Sequence, residues 1–305
     1  MGEYEQAITD QEQWLTIARA AGLRHGEGIA LGSLGNIYES QGQYAKALNY
    51  HQQHLAIAQA ENDLEMLGSA LGNVGSCCHA LGQYQQAKDH HCQHLRLAQK
   101  IGNRQGESNA LGGLGSACYS LSEYDQAASY FEQQRQIAKE IHDRLSAGNA
   151  LGGLGNVCFA TGNYDQALTY HQRHLAIAQS LDHQQSLLHA LGNIGNVHSA
   201  LSQYPQAIDC YQQQLATAQA IGDQLGMSLA YGNLGVVCHA LGDYEEAFQQ
   251  FHQQLKLVRQ MGDCYREGQV LSNLGNTYHV IGRHTPAMQC FQEALSIARQ
   301  LGERL

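Results

Sequence analysis

Residues 26–65 read GEGIALGSLGNIYESQGQYAKALNYHQQHLAIAQAENDLE, and this stretch decides the fold. Leu31, Leu34, Gly35 and Tyr38 stand at i, i+3, i+4 and i+7, the spacing of one helical face. Tyr44, Ala47, Leu48, His51, Leu55 and Ala58 repeat that spacing in the second half, so the stretch reads as two helices. Gly42 lies between them as a C-terminal stop, and it recurs as Gly82, Gly162, Gly242 and Gly282, with Ser122 and Ser202 in the remaining places.

The same 40 residues return along the chain. Gly35 comes back as Gly75, Gly115, Gly155, Gly195, Gly235 and Gly275. Ala7, Ala47, Ala87, Ala127, Ala167, Ala207, Ala247 and Ala287 form a second row. A third row runs from Tyr4 through Tyr44, Tyr84, Tyr124, Tyr164, Tyr204 and Tyr244 to His284. A fixed period of this length marks stacked supersecondary units that contact mainly their neighbours. Residues 1–25 then form a partial repeat holding a second helix only, and residues 26–305 hold seven repeats of 40. No strand signal appears, so the fold class is all-α, an α-solenoid of antiparallel helix pairs.

The first six first helices each contain two glycines one turn apart, Gly32/Gly35 through Gly232/Gly235. An interior glycine disfavours helix by roughly 1 kcal/mol relative to alanine, so stacking must hold these helices. Gly35 and its copies read as points of close approach, with the Ala47 row as the matching small side chain. Gly32 and its copies read as leaving one wall of a groove free of side chains. LGGLG and LGNLG superficially suggest phosphate loops, but they fall inside helices rather than between a strand and a helix. Pro205 and Pro286, the two prolines, fall at the start of second helices, where a missing N–H costs little.

Composition narrows the function. A net charge of −10 with no Lys/Arg run argues against nucleic acid or an anionic membrane as the partner. No apolar run approaches the ~18 residues a membrane span needs, and MGEYEQAITD lacks the basic and apolar regions of a secretory signal. Four of the nine cysteines (Cys78, Cys118, Cys158, Cys238) share one repeat position with Tyr38, His198 and Tyr278. A position that accepts Cys, His or Tyr is a packing slot, which points to reduced thiols and a cytoplasmic protein.

These residues resemble the tetratricopeptide repeat family, whose signature places are filled here by Leu34, Gly35, Tyr38, Tyr44 and Ala47. The repeat is 40 residues long and lacks the usual turn proline, which resembles the subclass of Pins-type adaptors named for Leu-Gly-Asn repeats. YGNLG at 231–235 and HQQHLAIAQ at 51–59 look like that subclass. A HEAT or armadillo array has a similar period without this Gly/Ala pairing. The resemblance implies a right-handed superhelix whose first helices line a concave groove for an extended peptide or a partner helix, with no enzymatic activity.

In that geometry the groove carries an amide ladder: Asn36, Asn73, Asn109, Asn149, Asn156, Asn193, Asn196, Asn233, Asn273 and Asn276. A carboxamide both donates and accepts, so it can pair with peptide backbone whatever the side chains. The alternative is that these amides bond the adjacent turn or the neighbouring repeat. His79, Tyr119, Phe159 and His239 occupy one further groove position, Tyr119 and Phe159 as aromatic anchors. Co-chaperone members of the family carry Lys where this chain has Gly32 and its copies, so a carboxylate clamp is not expected.

Seventeen histidines raise the question of a metal. His51, His91 and His171 share a position with Phe131, Tyr211, Phe251 and Phe291, and so read as ring substitutes. His54, His94 and His174 alternate with Gln134, Gln214 and Gln254, as on a polar face. No metal site, cofactor or catalytic set is expected. The uncapped terminal helices suggest either a piece of a longer protein or end-to-end self-association. The function expected is a non-enzymatic scaffold for a protein or peptide partner. The alternative is a sensor arm of a larger signalling or effector protein.

Overall fold

A computed structural model describes residues 2–302, and among them are fifteen α-helices of 17 to 19 residues with no strand. They fall into two compact units, one reaching Thr161 and the other starting at Gly162. The first unit runs α1 (Gly2–Ala20), α2 (Arg24–Ser40), α3 (Tyr44–Glu61), α4 (Leu64–Ala80), α5 (Tyr84–Ile101), α6 (Arg104–Ser120), α7 (Tyr124–Glu140) and α8 (Arg144–Ala160). The second runs α9 (Tyr164–Ser180), α10 (Gln184–Ala200), α11 (Tyr204–Ile221), α12 (Gln224–Leu241), α13 (Tyr244–Met261), α14 (Cys264–Val280) and α15 (His284–Gln300). Within each unit every helix packs on the next. First helices also touch one another: α4 lies against α2 and α6, and α6 against α8. In the second unit α12 lies against α10 and α14.

The glycine rows explain how such helices come together. A Cβ on Gly35 would lie 2.4 Å from Cε1 of His51, on Gly115 2.6 Å from Phe131, on Gly195 2.5 Å from Tyr211 and on Gly235 2.5 Å from Phe251. The partner of this glycine is therefore a ring from the second helix, four residues beyond the alanine row. The alanines are fully buried at Ala47, Ala87, Ala127, Ala167, Ala207 and Ala247. The third glycine of α6 and α8 has the same cause from the other side. Gly113 would place a Cβ 2.5 Å from the His91 ring and Gly153 2.6 Å from Phe131. His91 is thus held between Gly75 and Gly113, and Phe131 between Gly115 and Gly153. Leucine and valine rows (Leu31, Leu34, Val74, Leu111, Leu114) are almost wholly buried beside them. Each such side chain contributes about 1.5–3 kcal/mol, which offsets the helix-breaking cost of the glycines.

Turns are as regular as helices. A left-handed residue closes each: Gly42, Gly82, Ser122, Gly162, Ser202, Gly242 and Gly282 after first helices, and Gly22, Asn62, Gly102, His142, Asp182, Gly222 and Gly262 after second helices. The residue after the second-helix turn caps the next helix. Asp63, Asn103, Asp143, His183, Asp223 and Asp263 each accept a backbone N–H three residues on through the side chain. Ser122 at φ 61° and His142 at φ 59° hold a conformation that costs a residue with a Cβ roughly 1 kcal/mol. Ser122→Gly and His142→Gly are each expected to raise stability by about that much, read as a higher urea midpoint. An unchanged or lower midpoint in both would contradict this account of the turns.

Candidate functional site

The exposed face of the first helices is set by the helical period. The position of Ile29 is exposed in all seven first helices, at Ile29, Ser69, Asn109, Asn149, His189, Leu229 and Gln269. One turn on come Asn73, Asn193, Asn233 and Asn273, half-buried, and then Asn36, Asn156, Asn196 and Asn276, exposed or half-buried. All ten asparagines therefore lie on this face, five in each unit.

In the first unit this face opens into a cavity of about 400 Å³ between α4 and α6. Gly68, Ser69, Gly72, Asn73 and Ser76 form the α4 wall, and Gln105, Gly106 and Asn109 the α6 wall. His91, His94 and Leu97 of α5 form the floor, and Glu65 is the only charged group on the lining. Asn73 donates to Oδ1 of Asn36 at 3.3 Å, and Asn109 accepts from Gln105 at 3.3 Å. In the second unit Oδ1 of Asn196 accepts the Tyr211 hydroxyl at 2.8 Å. Burial pushes that phenol's pKa up, so it stays a neutral donor. Asn73 and Asn36 thus bond between neighbouring repeats, whereas Asn109 and Asn196 bond within their own repeat. Asn73 and Asn109 meet around one cavity.

The aromatic position lies elsewhere. His79 and Tyr119 are absent from the cavity lining and sit at the helix-pair turn. The rings of His79, Tyr119 and His239 pack at 5.2, 5.7 and 5.5 Å on Tyr84, Tyr124 and Tyr244, the first residues of the second helices. His79 hydrogen-bonds Ser120 at 3.0 Å and His239 bonds Thr277 at 3.1 Å. Phe159 is half-buried at the corresponding end of α8.

The sequence reading missed the floor. His54, His94, Gln134, His174, Gln214 and Gln254 are buried rather than displayed on a polar face. Five of them, His54, His94, Gln134, Gln214 and Gln254, sit under the earlier glycine of the pair on their first helix. A Cβ would lie 3.1 Å from His54 at Gly32 and 3.2 Å from His94 at Gly72. It would lie 2.6 Å from Gln134 at Gly112, 2.6 Å from Gln214 at Gly192 and 2.5 Å from Gln254 at Gly232. These glycines make room for an imidazole or carboxamide instead of leaving an empty wall. One signal was legible: the last repeat has Ser272 in place of the glycine and Ala294 in place of the His/Gln.

Nδ1 of His91 and of His94 has no hydrogen-bond partner. Burial pushes the His91 pKa down to about 4 and lowers that of His94, so both rings are neutral at pH 7. The floor offers uncharged donors and acceptors, which suit polar neutral groups such as peptide amides. Cys77 and Cys118 form no disulfide, and burial holds their thiols up at about 12 and about 11, protonated and poorly nucleophilic. Among the described residues no helix is long and apolar enough to cross a membrane.

Stacked helix pairs with rings seated on glycines, and a polar cleft between α4 and α6, define a helical-repeat scaffold for protein interaction. The chain belongs to the tetratricopeptide repeat family, whose sequence profile matches residues 1–60, 66–140, 146–220 and 226–300. A second tetratricopeptide profile matches residues 193–257. The chain is similar in structure to the apo form of the quorum sensor NprR from B. thuringiensis, at TM-score 0.74 and 12% identity over 96% of this chain and 83% of that one. It is also similar to a Rap protein solved with the Competence and Sporulation Factor, at TM-score 0.72 and 12% identity over 97% and 86% of the two chains. A third is the Rap conjugation gene regulator of the plasmid pLS20, solved with the Phr* peptide, at TM-score 0.63 and 12% identity over 98% and 96%. At such identities the likeness is one of fold. No curated protein matches the sequence.

Proposed function

We propose that the chain is a non-enzymatic scaffold whose first-helix face holds an extended peptide or a partner helix, and that the cleft between α4 and α6 is one seat for it. The observation that carries this reading is the cavity of about 400 Å³ with amide walls and two neutral, incompletely bonded imidazoles beneath. An extended peptide alternates N–H and C=O groups, which such a surface can pair without reading side chains. Support comes from the fold shared with a Rap regulator solved with the Phr* peptide. The asparagine ladder, with His79, Tyr119, Phe159 and His239 at its rim, is the recognition surface in this reading.

A displayed library of random dodecapeptides, selected on the full chain, tests the proposal. Selected peptides are expected to bind about tenfold or more weakly to an Asn73→Ala/Asn109→Ala double variant, since each lost amide pair is worth about 1 kcal/mol or somewhat more. Equal binding to both proteins would remove the cleft from the interface.

A second reading, a sensor arm that controls a further domain, draws on the likeness to the quorum sensor NprR. We also read the chain as a member of the 40-residue Leu-Gly-Asn subclass, from its period and its LGN-like first helices. Cysteines at a packing position that also accepts Tyr and His fit the reduced thiols of a cytoplasmic protein.

A further inference from the structure

We propose that Glu39, His51 and Cys77 form a site for one divalent metal ion of the zinc class, tying together α2, α3 and α4. Glu39 lies in the last turn of α2, His51 mid-way along α3 and Cys77 near the end of α4. One ligand atom from each residue lies within 4.8 Å of the other two. Oε2 of Glu39 stands 3.7 Å from Nε2 of His51, too far for a hydrogen bond and close to the separation of two donors on one ion. Tetrahedral zinc with bonds of about 2.0–2.3 Å sets its donors roughly 3.3–3.8 Å apart. A side-chain adjustment of about 1 Å therefore closes the set.

The second observation is the state of the imidazole. His51 is fully buried, and neither of its ring nitrogens has a hydrogen-bond partner. An unpaired polar group so placed costs roughly 1–3 kcal/mol. His91 and His171 are also buried, each with an unpartnered Nδ1, so a buried imidazole alone is only a ring substitute. What distinguishes the first repeat is its company. At the positions equivalent to Glu39, His51 and Cys77 the chain has His79, His91 and Ala117, then Tyr119, Phe131 and Val157. Further on come Ser199, Tyr211 and Val237, then His239, Phe251 and Thr277. Only the first repeat unites carboxylate, imidazole and thiol.

The donor set (one S, one N, one O) is that of zinc or its spectroscopic substitute cobalt(II) rather than of calcium or magnesium, which take oxygen. On binding, the sulfur–metal bond forms as the Cys77 thiol proton leaves to solvent. His51 coordinates as the neutral ring and Glu39 as the carboxylate. Three protein donors leave one position for water or an outside ligand, and the Glu39 side chain, 33% exposed, opens the site to solvent. The ion would bridge one helix pair to the first helix of the next.

The test uses the full chain, stripped with chelator and titrated with cobalt(II). The expected result is a thiolate-to-cobalt charge-transfer band that saturates at one equivalent per chain. Cys77→Val and His51→Phe introduce residues that the other repeats carry at those places, so both should fold, as far-ultraviolet circular dichroism would verify. Each is expected to abolish the band, and Glu39→Gln to weaken cobalt binding. Absence of a thiolate band in the parent chain would overturn the proposal. So would a band that survives Cys77→Val, because other thiols or surface histidines would then be the ligands.

Discussion

Acidification from pH 7 toward 4 is expected to cost the fold several kcal/mol through its buried histidines, among them His91, His171 and His174. Burial pushes His91, His171 and His174 from 6.5 down to about 4, and like-charged neighbours add to it: His94, His79 and His90 at His91, His174 at His171, and His189 and His183 at His174. Above pH 6.5 neither the folded nor the unfolded chain protonates these rings, and their full stability is present. Between 6.5 and 4 the unfolded chain takes up a proton at each ring and the folded chain does not, so stability falls as pH falls. Below about 4 both states are protonated and the loss stops growing. Each ring costs up to about 3 kcal/mol over the whole span and about 2 kcal/mol by pH 5. Urea unfolding at pH 7 and pH 5 measures the loss. The triple variant His91→Phe, His171→Tyr, His174→Gln places at each site a residue found there in other repeats, and it should lose several kcal/mol less between the two pH values. Equal losses would mean that the buried rings are not what acid attacks.

Two glycine substitutions in the same kind of helix should move stability in opposite directions. Gly235→Ala puts a Cβ 2.5 Å from Cε1 of Phe251, a ring only 1% exposed and hemmed in on every side. Overpacking of this kind costs about 1–3 kcal/mol or more, against a gain in helix propensity of about 1 kcal/mol. The clash is short enough, and its target rigid enough, that the net effect is a loss of about 2 kcal/mol. Gly68→Ala meets nothing nearer than His94 at 3.7 Å, an ordinary contact. Only the propensity term remains there, and the variant should be more stable by up to about 1 kcal/mol. Adding Phe251→Leu to Gly235→Ala should cost less than the sum of the two single changes. Strict additivity would show that ring and glycine do not oppose each other.

The fold was legible because its evidence is periodic. Seven copies of one pattern report the same helix, the same left-handed stop and the same apolar stripe, so a local ambiguity in one repeat is resolved by the others. Even the substitutes were readable: Ser122 and Ser202 take over the left-handed role of Gly42. The face that carries the asparagines was readable too, since position along a helix dictates its side of the helix.

Contacts between helices were a different matter. Sequence spacing put Gly35 opposite the small Ala47 row and did not foresee the ring of His51, the side chain nearest a Cβ built on that glycine. Spacing put His94 on a polar face, and the structure buries it beneath Gly72 on the floor of the cleft. Periodicity states which residues share a stripe of one helix. It does not state how far two helices rotate against each other, and that rotation chooses which stripe meets which.

The sequence by itself thus determined an all-α array of helix pairs, its turns and its exposed amide face, because these follow from local backbone preferences repeated at a fixed interval. Only the tertiary structure decided that the second helices send polar side chains through the glycine positions, and that Glu39, His51 and Cys77 converge from three helices. Side chains far apart in the chain come together through packing, and packing is settled by the shapes of both partners at once.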